Sequence, residues 1–522
     1  MSHAMLDEHS SAGKVGTVYL VGAGPGAPGL ITVRGLELIR RADVIVYDYL
    51  AGEWFSQEVR QDAELIYVGK KGSDHTLEQT DINDLIVAKA REGKSVVRLK
   101  GGDPYVFGRG GEEAEDLVSA GIPFEVVPGV TSAVAAPAYA GIPVTHRDHA
   151  SLVTFITGHE NSNKRMSSID WENLAHNPGT LVFLMGVKNL SHISGSLMDH
   201  GMDPNTPAAL VRWGTTPKQG SFATTLREIA AEADRRHMKA PAVLIVGAVA
   251  QLHDKLSWFE KMPLFGKRII ITRTRAQSTR MADAISELGG DPILFPTIVI
   301  GPPDDFSGLD ASIRKAGSFD WIIFTSVNGV EKFFERFFQI QDDIRSLAGP
   351  RIAAIGPMTA QVLHKRGMRV DVLAKEFVAE GVLAQFPEHK VRGKRFLIPR
   401  AQEAREILPE GLAEMGGQVT VVATYKTGIP ADSDVATVRR LLQEGKVDAV
   451  TFTSSSTVRH FARMLDEPDL AKLLDATIVA SIGPVTSETI RDMGFPVHVE
   501  ASKFTVEGLV NALVEHFRTL KD

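Results

Sequence analysis

The chain contains 522 residues, which is too many for one hydrophobic core and enough for three or four units of about 100–200 residues each. Apolar residues make up 43% and charged residues 23%, a composition that excludes a largely disordered chain. With 57 lysines and arginines against 64 aspartates and glutamates, the net charge is −7, which argues against a general nucleic-acid binder. There is no cysteine, so disulfides, thiolate metal sites and a cysteine nucleophile are excluded.

Hydropathy and the first residues of the chain predict a cytoplasmic protein. The longest apolar stretch, 240–252, is too short to span a bilayer. Residues 1–14 are mostly small or polar, lack the pattern of a signal peptide, and are expected to form a disordered leader. We therefore expect no membrane partner.

Short β-branched runs alternate with longer amphipathic stretches along the chain, which predicts an α/β fold with parallel sheets and crossover helices. In the first half, a helix is predicted over 32–42. The strands predicted for this half are 17–21, 44–47, 95–99, 124–127, 152–157, 180–185 and 243–246. Residues 251–265 break the rhythm, so we expect a linker there between domains at 15–250 and 266–522.

The second half contains an internal repeat. Five short motifs recur at an offset of 127 or 128 residues: GKR at 266 and 393, GG at 289 and 416, FTS at 324 and 452, IGP at 355 and 482, and EG at 380 and 507. Such agreement predicts a duplicated α/β unit, with two similar lobes that face a cleft. The repeat does not assign strands to lobes, because duplicated units can exchange elements.

A glycine-rich loop follows the first predicted strand. GAGPGAPG spans 22–29 and Asp48 closes the next strand, an arrangement superficially like a dinucleotide fingerprint. Pro25 and Pro28 would interrupt the helix that must start directly after such a loop, and the helical pattern begins only near Thr32. Dinucleotide binding is therefore disfavoured, and a plain structural turn is the other alternative.

A second glycine-rich segment, GGDPYVFGRGGEE at 101–113, follows the strand that ends at Leu99. Its glycines allow a backbone to approach a ligand closely, and Asp103 and Arg109 place opposite charges in one loop. Segments 128–132 and 141–147 follow later strands. Ligands of open α/β sheets gather at the carboxyl ends of the strands, so these loops predict a binding site, with a capped, solvated loop as the alternative.

The first half resembles the tetrapyrrole methylases, and within them uroporphyrinogen-III C-methyltransferase. The resemblance covers about 15–260 in unbroken order and rests on GAGPGAPG, VYDYL, VGKKG, RLKGGDPYVFGRGGEE, VPGVTSA, GIPVTHRD, TGH, LVFLMG and DKLSWF. It implies two α/β subdomains, split near residue 130, that bind S-adenosylmethionine between them and release S-adenosylhomocysteine. It also implies a homodimer formed through this half, and no metal.

The resemblance assigns roles to individual residues of this half. Asp48 matches the proton acceptor and Lys70 the proposed proton donor, with an ordinary surface charge as the alternative for each. Arg109 is placed in the catalytic set, and His146 and Arg147 could hold the carboxylates of the substrate. Residues expected to contact the cofactor, largely through backbone atoms, are Pro25, Gly101, Gly102, Asp103, Val106, Thr131, Ser132, Met185 and Gly214.

The second half has no paired acids, no metal-spaced histidines and no nucleophile elbow. Instead, hydroxyl residues recur at strand ends and at helix starts, where they suit carboxylate binding; simple helix capping is the alternative for each. The candidates for substrate binding are Thr325, Ser326, Thr359, Thr453, Ser454 and Thr486.

These motifs, with KRIIITRTR, IPR at 398–400 and VATYKT at 422–427, resemble uroporphyrinogen-III synthase. That family closes linear hydroxymethylbilane with inversion of the last ring and loss of water, a lyase reaction without a cofactor. The resemblance implies a bilobal fold, with one lobe at about 266–300 plus 428–522 and the other at about 302–425. Tyr425 matches the tyrosine proposed to help the hydroxyl leave.

The two resemblances together predict a bifunctional enzyme that takes hydroxymethylbilane through uroporphyrinogen III to precorrin-2, toward sirohaem or cobalamin. One alternative is a related methylase acting on another corrinoid, on RNA or on a protein. Another is a methylase whose second half binds tetrapyrroles without catalysis. An activity screen tests the first alternative. Formation of the type III rather than the type I isomer, without S-adenosylmethionine, tests the second.

Overall fold

The computed structural model describes residues 15–52, 54–69, 78–159, 169–376, 379–431, 433–467 and 470–520. The chain divides into two compact units, Met1–Lys267 with Glu287–Asp291 and Arg268–Ser286 with Pro292–Asp522. Among the described helices, none is both long enough and apolar enough to cross a membrane.

The first unit opens with a five-stranded, fully parallel sheet in the order β3-β2-β4-β1-β5. Its strands are β1 (Val18–Gly22), β2 (Val44–Tyr47), β3 (Glu64–Tyr67), β4 (Val96–Lys100) and β5 (Phe124–Val127). The helices around it are α1 (Val33–Arg41), α2 (Gln79–Arg91) and α3 (Gly110–Ser119). Apolar clusters cover both faces of the sheet, which explains the apolar runs of β1 and β2.

Helix α4 (Ser132–Tyr139) leads into a second five-stranded sheet in the order β6-β7-β10-β8-β9. Its strands are β6 (Val153–Thr157), β7 (Thr180–Leu184), β8 (Pro207–Arg212), β9 (Gly220–Thr225) and β10 (Ala242–Val246), and its helices are α5 (Trp171–Ala175), α6 (Leu190–Asp199), α7 (Ile229–Arg235) and α8 (His253–Leu256). The prediction of parallel sheets is wrong here, because only β6 and β7 pair in parallel. The short connection between β8 and β9 cannot hold a crossover helix, so these strands form a hairpin.

The second unit contains two further sheets, which we call the first lobe and the second lobe. The first lobe has the order β12-β11-β19-β20-β21, and the second lobe has the order β13-β18-β17-β14-β15-β16. The first-lobe strands are β11 (Arg268–Ile271), β12 (Asp291–Leu294), β19 (Ala449–Phe452), β20 (Ile478–Ser481) and β21 (Val499–Glu500). The second-lobe strands are β13 (Val299–Gly301), β14 (Trp321–Phe324), β15 (Arg351–Ala354), β16 (Val372–Leu373), β17 (Arg395–Ala401) and β18 (Gln418–Gly428).

Helices surround these two sheets. They are α9 (Arg275–Glu287), α10 (Ser307–Arg314), α11 (Val327–Ile340), α12 (Pro357–Lys365), α13 (Ala379–Leu383), α14 (Ile407–Glu414), α15 (Val435–Gln443), α16 (Ser455–Leu465), α17 (Leu470–Leu473), α18 (Pro484–Asp492) and α19 (Val506–Thr519). A phenylalanine-rich cluster fills the second lobe, where α11 buries Phe333, Phe334 and Phe337. The first lobe has its own core around β19 and α16.

The internal repeat explains the matching strand orders of the two lobes. The start of β11 corresponds to that of β17, and the ends of β14 and β15 correspond to those of β19 and β20. The first copy of the repeat therefore gives β11 and β12 to the first lobe and β13 to β16 to the second lobe. The second copy gives β17 and β18 to the second lobe and β19 to β21 to the first lobe. The two copies have exchanged elements, and each lobe is completed by both.

Candidate active sites

Three loops meet at the carboxyl ends of the strands in the first sheet. Gly102 N–H donates to the Gly24 carbonyl at 2.7 Å, which joins the loop after β4 to the loop after β1. Asp103 binds the same region together, because one carboxylate oxygen accepts from Gly129 N at 3.0 Å and the other from Tyr105 N at 2.8 Å. The structure thus brings the two glycine-rich segments and the 128–132 segment into one site.

Glycine is required where these loops touch. A Cβ on Gly22 would lie 2.5 Å from Gly129 Cα, and one on Gly129 would lie 2.2 Å from the Gly102 carbonyl oxygen. Gly102 itself has a φ of +69°, and the nearest atom to its Cβ position is 3.8 Å away. The backbone at Gly102 is therefore close-packed on one side and approachable on the other, as a ligand cradle needs.

The second sheet contributes a loop to the same site. The connection between β8 and β9 places Thr215 Oγ1 3.1 Å from the Ala27 N–H that donates to it. The rings of Tyr49 and Trp213 pack edge to face with centroids 5.9 Å apart. Residues after β1 and β2 of the first sheet therefore meet residues after β8 of the second, and the two sheets share a cleft.

Backbone strain is concentrated around this cleft. In the described part of the chain, seven non-glycine residues have a positive φ, and five of them lie in loops after β4, β7 and β8. The five are Phe107, Arg109, Met185, Trp213 and Thr215. Such conformations cost about 1–3 kcal/mol each and persist where surrounding structure enforces them, often at functional sites. Phe107, Trp213 and Thr215 were missed by sequence reasoning, since positive φ leaves no signal in these residue types.

Asp48 follows β2 and faces the cleft region with its side chain 27% exposed. Its Oδ1 accepts from Leu50 N at 3.1 Å, and its Oδ2 accepts from Arg98 Nη2 at 3.2 Å. The carboxylate is thus held in one orientation by a backbone amide and a guanidinium. Lys70, the predicted proton donor, lies outside the described residues.

Arg109 forms a bidentate pair with Glu112, at 3.0 Å from Nε to Oε1 and 2.6 Å from Nη2 to Oε2. This hydrogen bonding raises the pKa of Arg109 and lowers that of Glu112. Sequence reasoning assigned Arg109 without its partner. A carboxylated ligand has to compete with Glu112 for this guanidinium.

The other predicted residues of the first half fall into three groups. Pro25, Gly101, Val106, Thr131 and Ser132 lie in the loops that meet at the first sheet, and Thr131 caps α4 by accepting from Ala133 N at 3.3 Å. Met185 and Gly214 follow strands β7 and β8 of the second sheet. His146 and Arg147 lie on a tight turn in which His146 N donates to Ala150 O.

In the second half, Tyr425 lies on β18 and is 6% exposed. Its phenol oxygen is 3.2 Å from Ser326 Oγ, at the end of β14. Burial raises the pKa of the Tyr425 phenol, while hydrogen bonds to Ser326 and Asn328 act in the opposite direction. The phenol is therefore a proton donor at neutral pH. A register shift between Arg400 and Ala401 in the neighbouring strand β17 lies beside it.

A chain of polar side chains extends from this tyrosine into the first lobe. Asn328 Oδ1 accepts from Gln277 Nε2 at 3.0 Å, and Gln277 Oε1 accepts from Arg273 Nη2 at 3.0 Å. Burial lowers the pKa of Arg273, and no described group partners its buried Nε. Sequence reasoning missed Arg273 and Gln277, because only tertiary structure places them beside Asn328.

The hydroxyl residues occupy equivalent places in the two lobes. Ser326 caps α11 by accepting from Gly329 N at 2.9 Å, and Ser454 caps α16 by accepting from Thr457 N at 3.3 Å. Thr325 and Thr453, one residue earlier, are half-buried. Thr359 and Thr486, in the first turns of α12 and α18, are only 4% and 5% exposed. Among the described residues, no cluster of three or more His, Asp or Glu side chains could hold a metal ion.

Two family models match the chain in succession. One, described as tetrapyrrole (corrin/porphyrin) methylases, matches residues 17–230, and the other, described as uroporphyrinogen-III synthase HemD, matches residues 279–511. The chain is 38% identical over 501 residues to the porphyrin biosynthesis protein HemD of Ruminiclostridium josui, which covers 96% of this chain and 98% of that protein.

Two further proteins are similar to the first half. The S-adenosyl-L-methionine-dependent uroporphyrinogen III methyltransferase of Methanosarcina barkeri is 56% identical over 245 residues, covering 47% of this chain and 96% of that protein. A crystal structure of uroporphyrin-III C-methyl transferase from Thermus thermophilus, complexed with S-adenyl homocysteine, is 40% identical with a TM-score of 0.40. That match covers 45% of this chain and 100% of the crystallised one.

Proposed function

The chain belongs to the tetrapyrrole methylases and to the uroporphyrinogen-III synthases, and we propose that it converts hydroxymethylbilane to uroporphyrinogen III and methylates this product twice to precorrin-2. The observation that carries the proposal is the succession of the two family matches on one chain, at 17–230 and 279–511. The product of the second half is the substrate of the first, so the two activities form consecutive steps.

The first half fits S-adenosylmethionine. Gly102 leaves an approachable backbone where a Cβ would stand, and Asp103 holds the surrounding loops together. The exposed side chains of Phe107 and Met185 supply apolar surface beside these loops, at 41% and 52% exposure. When bound, this cofactor supplies an electrophilic methyl group on a sulfonium. The contacts proposed for it are Pro25, Gly101, Gly102, Asp103, Val106, Thr131, Ser132, Met185 and Gly214.

Methylation of a pyrrole ring carbon requires alignment of that carbon with the methyl group and removal of one proton. Asp48 is the proposed proton acceptor, since its carboxylate is fixed by Leu50 and Arg98 at the carboxyl end of β2. Lys70 is the proposed proton donor. Arg109, His146 and Arg147 are the proposed partners of the substrate carboxylates.

The second half contains a buried neutral phenol, and ring closure needs an acid. Tyr425 is buried and hydrogen-bonded to Ser326, and its raised pKa keeps its proton available. We assign it the donation of a proton to the leaving hydroxyl of hydroxymethylbilane. The proposed hydrogen-bond partners of the substrate carboxylates are hydroxyl residues at the helix starts and strand ends: Ser326, Thr359, Ser454 and Thr486, together with Thr325 and Thr453.

We further propose a cytoplasmic homodimer that forms through the methyltransferase half, as the family resemblance implies. Light scattering of the purified protein measures its mass directly, with a value near twice the chain mass expected.

The methylation step is tested by giving the protein uroporphyrinogen III and S-adenosylmethionine that carries an isotopic label on its methyl group. The expected product has gained two labelled methyl groups. Corrinoids and RNA serve as competing substrates. Transfer of the label to one of them instead of uroporphyrinogen III would support a related methylase with a different substrate.

A further inference from the structure

A buried charge cluster lies beneath Asp48 in the first sheet. Arg98 and Lys100 on β4 have side chains only 4% exposed, and Glu113 on α3 is fully buried. Glu113 Oε1 accepts from Arg98 Nε at 3.1 Å and from Lys100 Nζ at 2.8 Å. We call Arg98, Lys100 and Glu113 the buried triad.

The triad is not built for stability alone. Gln79 also donates to Glu113 Oε1, at 3.0 Å, whereas no described group donates to the buried Oε2. Burial and the neighbouring Arg98 lower the pKa of Lys100 against the attraction of Glu113. Replacing such buried ion clusters by apolar residues is often neutral or stabilising, so a contribution to stability does not by itself explain the triad.

Arg98 links the triad to Asp48. Its Nη2 donates to Asp48 Oδ2 at 3.2 Å, while its Nε donates to Glu113 and its Nη1 donates to the Leu99 carbonyl at 3.1 Å. All three guanidinium nitrogens are engaged, so the group that touches Asp48 is itself fixed. Because arginine is planar and bidentate, lysine could not make the same set of contacts.

We propose that Arg98 is the positioning residue for Asp48 in methyl transfer, and that Glu113 and Lys100 hold Arg98 in place. The inference rests on the proposed methyltransferase function and adds to it a residue that touches neither substrate nor cofactor. Arg98 and Leu50 N–H fix the two carboxylate oxygens, so that the remaining lone pairs face the exposed side of Asp48.

The first test replaces Arg98 with glutamine in the full chain. With uroporphyrinogen III and S-adenosylmethionine, we expect kcat to fall about 10- to 100-fold, the loss expected for a misplaced reacting group, with little change in either KM. Cofactor affinity measured by calorimetry should stay within about twofold. Arg98→Lys should recover part of kcat, because lysine restores the positive charge but not the planar set of N–H donors of the guanidinium.

Arg60→Gln is the matched control. Arg60 donates to Asp43 at 2.9 Å. Asp43 is the residue directly before β2, and Asp48 is the residue directly after it. The control removes an arginine–aspartate pair at the opposite end of the same strand, and wild-type kcat is expected.

A double-mutant cycle with Asp48→Asn separates positioning from mere structural support. If Arg98 acts through Asp48, adding Arg98→Gln to Asp48→Asn should lower kcat by less than about threefold further. If the double variant instead loses kcat by the product of the two single losses, the proposal is overturned. A wild-type kcat for Arg98→Gln would overturn it as well. If Arg98→Gln fails to fold, Glu113→Gln takes its place, and a wild-type kcat for that variant would equally overturn it. Failure of the wild-type protein to methylate uroporphyrinogen III would instead refute the proposed function.

Discussion

Single residues divide into those that motifs identify and those that only the folded chain brings together. Asp48 and Tyr425 stand in quoted motifs, VYDYL and VATYKT, so the sequence predicts a role for each. Arg98, Lys100 and Glu113 are also in a motif, but there they read as ordinary charges. Their significance depends on burial and on their contacts. These appear only after folding, when the helix residue Glu113 meets strand residues that lie 13 and 15 positions earlier in the chain.

Replacing Asp48 with asparagine should slow methylation and spare cofactor binding. Asparagine keeps an acceptor for Leu50 N–H but cannot take a proton, and loss of a general base costs about 10²–10⁴-fold in rate. Stopped-flow or steady-state methylation, with calorimetric titration of S-adenosylmethionine, measures both quantities. Asp62→Asn, at an exposed carboxylate of the same sheet domain, is the control. Full activity of the Asp48 variant would mean that Asp48 is structural.

Replacing Tyr425 with phenylalanine should slow type III ring closure without abolishing it. The phenol is one donor among many positioning contacts, and its removal also frees Ser326 from a 3.2 Å hydrogen bond. The measurement is the initial rate of uroporphyrinogen III formation from hydroxymethylbilane. Methylation of supplied uroporphyrinogen III by the same sample provides an internal control and should not change. An unaltered rate of closure would remove Tyr425 from the mechanism.

At the scale of elements, the α/β prediction is confirmed for both halves, and the predicted strands of the first half match the observed ones to within a residue or two. The parallel arrangement failed for the sheet containing β8 and β9. Alternating hydrophobicity identifies a strand but not the direction of its neighbour, and the seven-residue connection 213–219 lacks a typical hairpin turn signal. The exchange of strands between lobes follows from the lobe bounds that the family resemblance implies. The repeat itself does not show it, because the exchange depends on pairing between distant segments.

The loop after β1 offers a matched pair of glycine substitutions. Gly26 has a φ of +138°, and a Cβ there would lie 2.6 Å from Thr216 Cγ2 in the loop after β8. Gly29 has no atom within 4 Å of its Cβ position. We expect Gly26→Ala to separate the two loops and weaken S-adenosylmethionine binding about tenfold or more, and Gly29→Ala to change it less than about twofold. Calorimetric titration measures both, and equal effects would contradict a cofactor site between these loops.

The whole molecule consists of two compact units, and we predict that each folds alone. Trp258 and Phe259 pack on Tyr139 with ring centroids 5.0 and 4.9 Å away, so a methyltransferase fragment must retain them. Fragments 1–267 and 268–522 should both unfold cooperatively and keep their separate activities. Circular dichroism melts and the two assays check this. Inactive or insoluble fragments from several nearby cut points would mean that the halves share a core.

The central claim is that one chain performs two consecutive reactions, and it is tested most directly by giving the intact protein hydroxymethylbilane with and without S-adenosylmethionine. Chromatography resolves the uroporphyrinogen isomers, and mass spectrometry counts added methyl groups. Without S-adenosylmethionine the type III isomer should accumulate, and with it a dimethylated product should replace that isomer. Accumulation of the type I isomer would contradict a catalytic second half, and type III isomer that stays unmethylated in the presence of S-adenosylmethionine would contradict the assignment of the first.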